Sequence, residues 1–169
     1  MRSEQPLADG SGTEVTVDAA LRSQLDSIVG LVPARASATL TAVPEGQQWR
    51  VDLARTRFTP LLPPEADAAG AVATWVQARQ ACQAPAEYRS LVGAPALADQ
   101  LCGATGDVRT GAPGPLTELS DASPVLNAFG ADAASWARVV LVEAPERLAV
   151  VVAPVDDRWL VVGVTSQHT

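Results

Sequence analysis

The side chains best suited to acid–base or nucleophilic chemistry near neutral pH are scarce in this sequence. It contains one histidine, His168, one tyrosine, Tyr88, and two cysteines, Cys82 and Cys102. His168 is the penultimate residue, where chains ordinarily fray, so we assign it no catalytic role. The motifs of serine hydrolases, dinucleotide-binding folds and phosphate-binding loops do not occur. The sequence therefore predicts a protein without catalytic residues, cofactor or bound metal.

A few acidic and aromatic side chains could still line a pocket. Two carboxylates can work as acid and base when their environments push their pKa values apart, and the spacing of Glu118 and Asp121 is compatible with such a pair. The simpler interpretation is that these carboxylates are solvated turn residues. The candidate pocket residues are Trp75, Tyr88, Asp99, Asp107, Glu118, Asp121 and Trp136.

The tryptophans are the other conspicuous group, because only 4% of the residues are aromatic. All of them fall on faces of predicted helices or strands, where packing in the core is the simpler role and an aromatic-lined pocket the alternative. They are Trp49, Trp75, Trp136 and Trp159.

The cysteines bear on the compartment. An even number of cysteines with no further thiol ligand favours a disulfide between Cys82 and Cys102 over a metal site, and two buried free thiols are the alternative. A disulfide indicates an oxidising compartment. The first residues lack the apolar segment of a signal peptide, and no apolar run is long enough to span a membrane. We therefore expect a secreted or envelope-associated domain whose signal or anchor is not part of this chain.

The charge excludes two classes of partner. The formal net charge is −7, and all 12 basic residues are arginines. Such a chain cannot neutralise the phosphates of nucleic acid, and it is not attracted to an anionic membrane surface. The exclusive use of arginine, together with many alanines, indicates GC-rich codons of the kind found in actinobacteria.

Hydrophobic periodicity predicts the elements of the N-terminal part. Residues 1–12 are polar and predict a disordered leader. A short strand over Glu14–Val17 is followed by Asp18 as a helix N-cap, with apolar residues from Leu21 to Val32 at helical spacing. Two alternating runs, 36–43 and 49–54, predict a β-hairpin, and the proline-rich segment 59–64 predicts a stiff connector.

The second part mixes helical and strand signals. We expect a long helix over 65–82, short helices near 86–92 and 96–102, a glycine-rich loop over 103–115, a possible strand at 116–119 and a short helix near 124–129. Three β-branched runs with short connections predict an antiparallel meander over residues 136–165, with Trp159 packed against the long helix. One face of this sheet is expected to cover the helices, and the other to be partly exposed or covered by the N-terminal hairpin.

These elements resemble the NTF2-like (cystatin-like) fold of secreted and lipid-anchored actinobacterial proteins. The resemblance rests on the helical stretch 65–102 and on the closing segment 156–162, which reads Asp-Asp-Arg-Trp-Leu-Val-Val. It implies an α+β fold in which helices pack on a curved antiparallel sheet to form a cone. The domains would be the leader 1–12, a helix-and-hairpin segment 13–60 that could end a preceding similar domain, and the cone 61–169.

Two functions follow as expectations. The first is a non-enzymatic binding or scaffold domain outside the cell or at its envelope, with a protein or an envelope component as partner. Its binding surface would be the exposed sheet face and the loop 103–123, which is long for a compact domain. The alternative is a cone-pocket protein that binds or transforms a small apolar molecule. The sequence does not indicate the oligomeric state.

Overall fold

The computed structural model describes residues 3–20, 35–143, 147–155 and 157–167. Within these ranges the chain is mainly β-structure: nine strands form two sheets, and only one of the four α-helices exceeds two turns. The elements are β1 (Ser3–Pro6), β2 (Thr13–Ala20), β3 (Arg35–Glu45), β4 (Gln48–Pro60), α1 (Ala66–Gln80), β5 (Glu87–Gly93), α2 (Ala96–Asp99), β6 (Arg109–Gly114), α3 (Ser123–Phe129), α4 (Ala133–Trp136), β7 (Arg138–Glu143), β8 (Arg147–Val155) and β9 (Arg158–Ser166).

The N-terminal sheet has the order β1-β2-β3-β4, and each neighbouring pair is antiparallel. The expected leader contains β1, which pairs with β2. The expected strand at residues 14–17 is present and longer. The prediction that Asp18 caps a helix is wrong, because Asp18 lies in β2 and is paired with Ser37 of β3. The predicted helix over 21–32 lies outside the described residues.

The predicted hairpin is confirmed as β3 and β4. Its turn is Gly46-Gln47, since Glu45 pairs with Gln48, and Gly46 has a φ of 64°. A glycine with positive φ at the first central position is the requirement of a type II′ turn, whose twist matches that of the flanking strands. Further along, the register shifts between Thr39 and Thr41, so residues 53–56 of β4 bulge out of the ladder.

The second sheet has the order β5-β9-β8-β7-β6. Its centre is the predicted meander of β7, β8 and β9, which is confirmed. The helix expected over 86–92 is wrong: this segment is β5, which runs parallel to β9. The expected loop 103–115 contains β6, an edge strand on β7. Proline is tolerated at an edge, so Pro113 does not prevent the strand from forming. The possible strand at 116–119 is also wrong, because Leu116–Glu118 forms a 3₁₀ turn.

Both faces of this sheet are buried, so the expectation of a partly exposed face is wrong, and among the described residues the second face packs against α3 and α4 rather than the N-terminal hairpin. The two faces belong to separate core clusters, one including the residues of α1 and the other those of α3 and α4. Along β8, Val150 and Val152 belong to the first cluster and Val151 and Ala153 to the second. A strand covered on both sides reads as a continuous apolar run, which β8 does.

Trp159 lies against α1, as predicted. It is 6% exposed, belongs to the same cluster as Val72 and Trp75, and its indole Nε1 donates to the Pro64 carbonyl at 3.0 Å.

The expected α+β cone of helices on one curved sheet is wrong as an architecture. The chain is mostly β, with two sheets, and its helices α2, α3 and α4 have only four, seven and four residues. The segment 86–92, predicted as a helix, forms the strand β5. Its partner β9 lies far away in the sequence, so local periodicity cannot reveal the pairing. Among the described residues no helix is both long enough and apolar enough to span a membrane.

Candidate functional site

The aromatic pocket candidates pack in the core, and they belong to two different core clusters. Trp75 is buried in the cluster beneath α1, whereas Trp136 is buried in the cluster on the opposite face of the sheet. Tyr88 meets Phe129 edge-on with 5.6 Å between ring centroids, and Phe129 in turn lies 6.2 Å from Trp136. These contacts are ordinary aromatic packing.

The carboxylate candidates do not converge either. Asp99, Asp107, Glu118 and Asp121 are all exposed. The carboxylate of Glu118 lies against Gly114. That of Asp121 accepts the backbone N–H of Ser123 at 2.8 Å. Hydrogen bonds from the hydroxyl and the backbone of Ser123 hold the pKa of Asp121 below its usual value. Asp121 therefore orders the start of α3 rather than facing a substrate.

One polar cluster does form, at the end of α1, and it joins residues that the sequence did not connect. Arg79 forms ion pairs with Glu87, and with Asp99 at 3.4 Å, while the indole of Trp75 donates to Glu87. The guanidinium also lies 5.5 Å from the centroid of the Trp75 ring. The pairing of Arg79 with Glu87 is not predicted by the sequence, because the helix expected over 86–92 gives no reason to place Glu87 beside α1.

The disulfide lies next to this cluster. Cys82 and Cys102 form the predicted bond, which ties the end of α1 to the segment after α2. Arg79, Asp99 and the disulfide line an open depression of about 420 Å³. The guanidinium is already neutralised by two carboxylates, so little positive charge is left for an anionic ligand. We interpret the cluster as a clamp that fixes α1 to β5 and α2.

Among the described residues, no group of three or more His, Cys, Asp or Glu side chains is placed to hold a metal ion. A second depression, of about 260 Å³, is lined by Trp75 and Trp159 together with small residues, Leu160 and Arg158. Of the four candidate carboxylates, only Asp99 lines either of these two depressions.

No family model, curated protein or solved structure matches this chain. The membership of the NTF2-like family stays a prediction.

The exposed apolar side chains are concentrated on β4. Trp49 is 63% exposed, Val51 46% and Leu53 81%, and only Leu141 joins them among the large exposed hydrophobic residues of the described chain. We call Trp49, Val51 and Leu53 the β4 strip. The expectation that Trp49 packs in the core is wrong. The alternation of the hairpin did place these three residues together, but it could not show that their side chains would be exposed.

The β4 strip lies on an edge strand. No described strand pairs with the outer side of β4, so the backbone N–H and C=O groups on that side have no ladder partner there. Two oppositely charged residues, Arg50 and Asp52, alternate with the apolar ones. Arg50 forms an ion pair with Glu45 at the surface. The Oδ2 atom of Asp52 lies 3.4 Å from Nε of Arg55. Asp52 also accepts the backbone N–H of Ala54 at 3.0 Å and so stabilises the bulge that follows.

Proposed function

We propose that this protein is a non-enzymatic recognition module that binds a protein partner through the β4 strip, outside the cytoplasm or at the cell envelope. The observation that carries the proposal is the exposure of Trp49, Val51 and Leu53 within five residues of an edge strand. Large apolar side chains exposed next to an open strand edge invite association with another chain. A partner that covers the β4 strip accounts for their presence on the surface.

The chemistry of the strip suits recognition. Tryptophan is among the residues that most often dominate the energy of protein interfaces, and truncating such a residue to alanine costs about 2 kcal/mol or more. The open edge adds main-chain hydrogen bonds, as in peptides that extend a sheet by one strand. A partner strand would thus gain affinity from the backbone and specificity from the side chains that alternate along β4.

The extracellular part of the proposal is supported by the disulfide. Cys82 and Cys102 are both exposed, and an accessible bond of this kind persists where the surroundings are oxidising. Thiol alkylation of intact cells before lysis tests the location. We expect both cysteines to resist alkylation until a reductant is added, and two freely reactive thiols would contradict an oxidising compartment.

The binding site is tested by photo-cross-linking in the cells that make the protein. Benzoylphenylalanine replaces Trp49 in one variant and Asn127, an exposed residue of α3, in a matched control. After irradiation, we expect a discrete covalent adduct with protein at position 49 and none at position 127. Mass spectrometry then identifies the attached chain. Absence of an adduct at position 49, or equal adducts at both positions, would overturn the proposal.

A further inference from the structure

We infer that the partner of the β4 strip is a second copy of this chain, paired antiparallel along β4 around a two-fold axis at Val51. This inference rests on the proposed function, because it names the partner of the same surface. Three features of β4 support it: the N–H and C=O groups that point away from β3, the charges along the strand, and the bulge at which the regular edge ends.

The backbone groups that point outward can be assigned from Pro44. This residue is directly opposite Trp49, and proline has no N–H, so the two cannot exchange both hydrogen bonds of a bonded pair. Antiparallel pairs alternate between bonded and non-bonded types, which makes Ala42 and Val51 a non-bonded pair as well. The N–H and C=O groups of Trp49 and Val51 therefore point away from β3, toward the open edge.

The charges select the register. In a two-fold antiparallel pair centred on Val51, Val51 faces its own copy, Trp49 faces Leu53 of the second copy, and Arg50 faces Asp52. The Trp49–Leu53 and Arg50–Asp52 contacts therefore each occur twice and the Val51 contact on the axis once, with the apolar pairs on one face and the opposite charges on the other.

The neighbouring registers are unfavourable. Centring the pair on Arg50 places two arginines directly opposite each other, and centring it on Asp52 places two aspartates opposite each other. Like charges in directly opposite positions destabilise a strand pair. Among the centres from Trp49 to Leu53, Val51 is the one that brings Arg50 opposite Asp52.

The bulge limits how far this pairing can extend. Residues 53–56 leave the β3 ladder, and the Thr56 hydroxyl donates to the Asp52 carbonyl oxygen at 3.0 Å. Bulges protect an edge against open-ended pairing. The regular edge therefore ends near Leu53, which favours a short, closed and reversible dimer rather than a growing sheet.

Charge reversal tests this register directly. Arg50→Asp and Asp52→Arg each place like charges opposite each other at two symmetric positions, so we expect each variant to dimerise about tenfold or more weakly than the original protein. An equimolar mixture of the two variants pairs opposite charges again and should recover a heterodimer. Arg109→Asp, which changes an exposed arginine on β6, is the matched control and should dimerise normally. Sedimentation velocity over a concentration series measures each association.

A second pair of variants does not depend on these charges, and it covers the case in which Asp52→Arg fails to fold. Under mild oxidation, Val51→Cys should form an intermolecular disulfide, because in this register the two copies of residue 51 are directly opposite, within disulfide reach. Trp49→Cys should not cross-link to itself, since its two copies lie four residues apart along the ladder.

The outcomes separate the two proposals. A protein that stays monomeric throughout, or a dimer that all these variants leave unchanged, overturns the pairing along β4. Cross-linking at residue 49 to a different protein, by a chain that is itself monomeric, overturns self-pairing and leaves the proposed recognition function standing. If residue 49 forms no adduct with any protein, both proposals fail.

Discussion

The end of α1 predicts an unusual response to glycine at Cys82. This residue follows the last turn of the helix with a φ of 54°, a left-handed conformation. Its N–H donates to the Arg79 carbonyl at 2.9 Å, and the next N–H, that of Gln83, donates to the Ala78 carbonyl at 2.9 Å. This is the bonding of a Schellman motif, in which glycine is the usual residue at this position. Cys82 occupies it instead, and its side chain forms the disulfide with Cys102.

Two contributions of opposite sign can therefore be separated. The disulfide joins residues 20 positions apart, and closing a loop of this length stabilises the folded state by about 3 kcal/mol in the chain-entropy treatment. The left-handed conformation costs a residue with a side chain about 1–2 kcal/mol, a cost that glycine avoids. Since glycine also loses more conformational entropy on folding, we expect a net benefit of about 1 kcal/mol for glycine at this position.

Two double variants measure the difference. Cys82→Ala/Cys102→Ala should be about 3 kcal/mol less stable than the oxidised protein, and Cys82→Gly/Cys102→Ala about 2 kcal/mol less stable. Urea denaturation followed by circular dichroism gives the free energy of unfolding of each. Both should remain folded, because the apolar core surrounds the second sheet on both faces.

The control places glycine at the other half-cystine. Cys102 does not have a positive φ, so Cys82→Ala/Cys102→Gly should be no more stable than the double alanine variant. If glycine at position 82 proves equal to alanine or worse, the left-handed strain assigned to Cys82 is refuted. If glycine stabilises both positions equally, the effect does not come from the backbone conformation of the helix end.

The remaining predictions concern one buried and one exposed side chain. Trp159→Ala should lower the free energy of unfolding by about 3–5 kcal/mol, because it leaves a cavity against α1; Trp159→Phe keeps most of the packing and should cost less, and a small effect of the alanine change in urea denaturation would contradict the burial. Asp121→Ala should lower the melting temperature at neutral pH by removing the acceptor for Ser123. Because folding lowers the pKa of Asp121 from 3.8, its contribution is present above that value and is lost as the pH falls through the lowered pKa, so melts of both proteins should converge in acid. Melting curves that stay equally far apart at every pH would refute the charged hydrogen bond.

The sequence by itself determined the elements that depend on near neighbours. The strands β7, β8 and β9 follow from β-branched runs with connections too short for a crossover helix, and α1 follows from apolar residues at helical spacing. The hairpin of β3 and β4 follows from two alternating runs around a turn with Gly46. The strands that pair are close in the chain, and the apolar spacing that specifies α1 lies within the helix itself.

Tertiary structure decided the rest. The parallel strand β5 is stabilised by β9, more than 60 residues later, so its local sequence could be read as a helix. For the same reason the ion pair between Arg79 and Glu87 does not follow from the sequence. The glycine-rich segment that contains β6 has the local sequence of a loop, and it forms a strand because it pairs with β7. Whether a side chain is exposed depends on elements that are distant in the sequence. Alternation places Trp49, Val51 and Leu53 on one side of β4, but whether that side is covered depends on every other element, and in this chain it is left open.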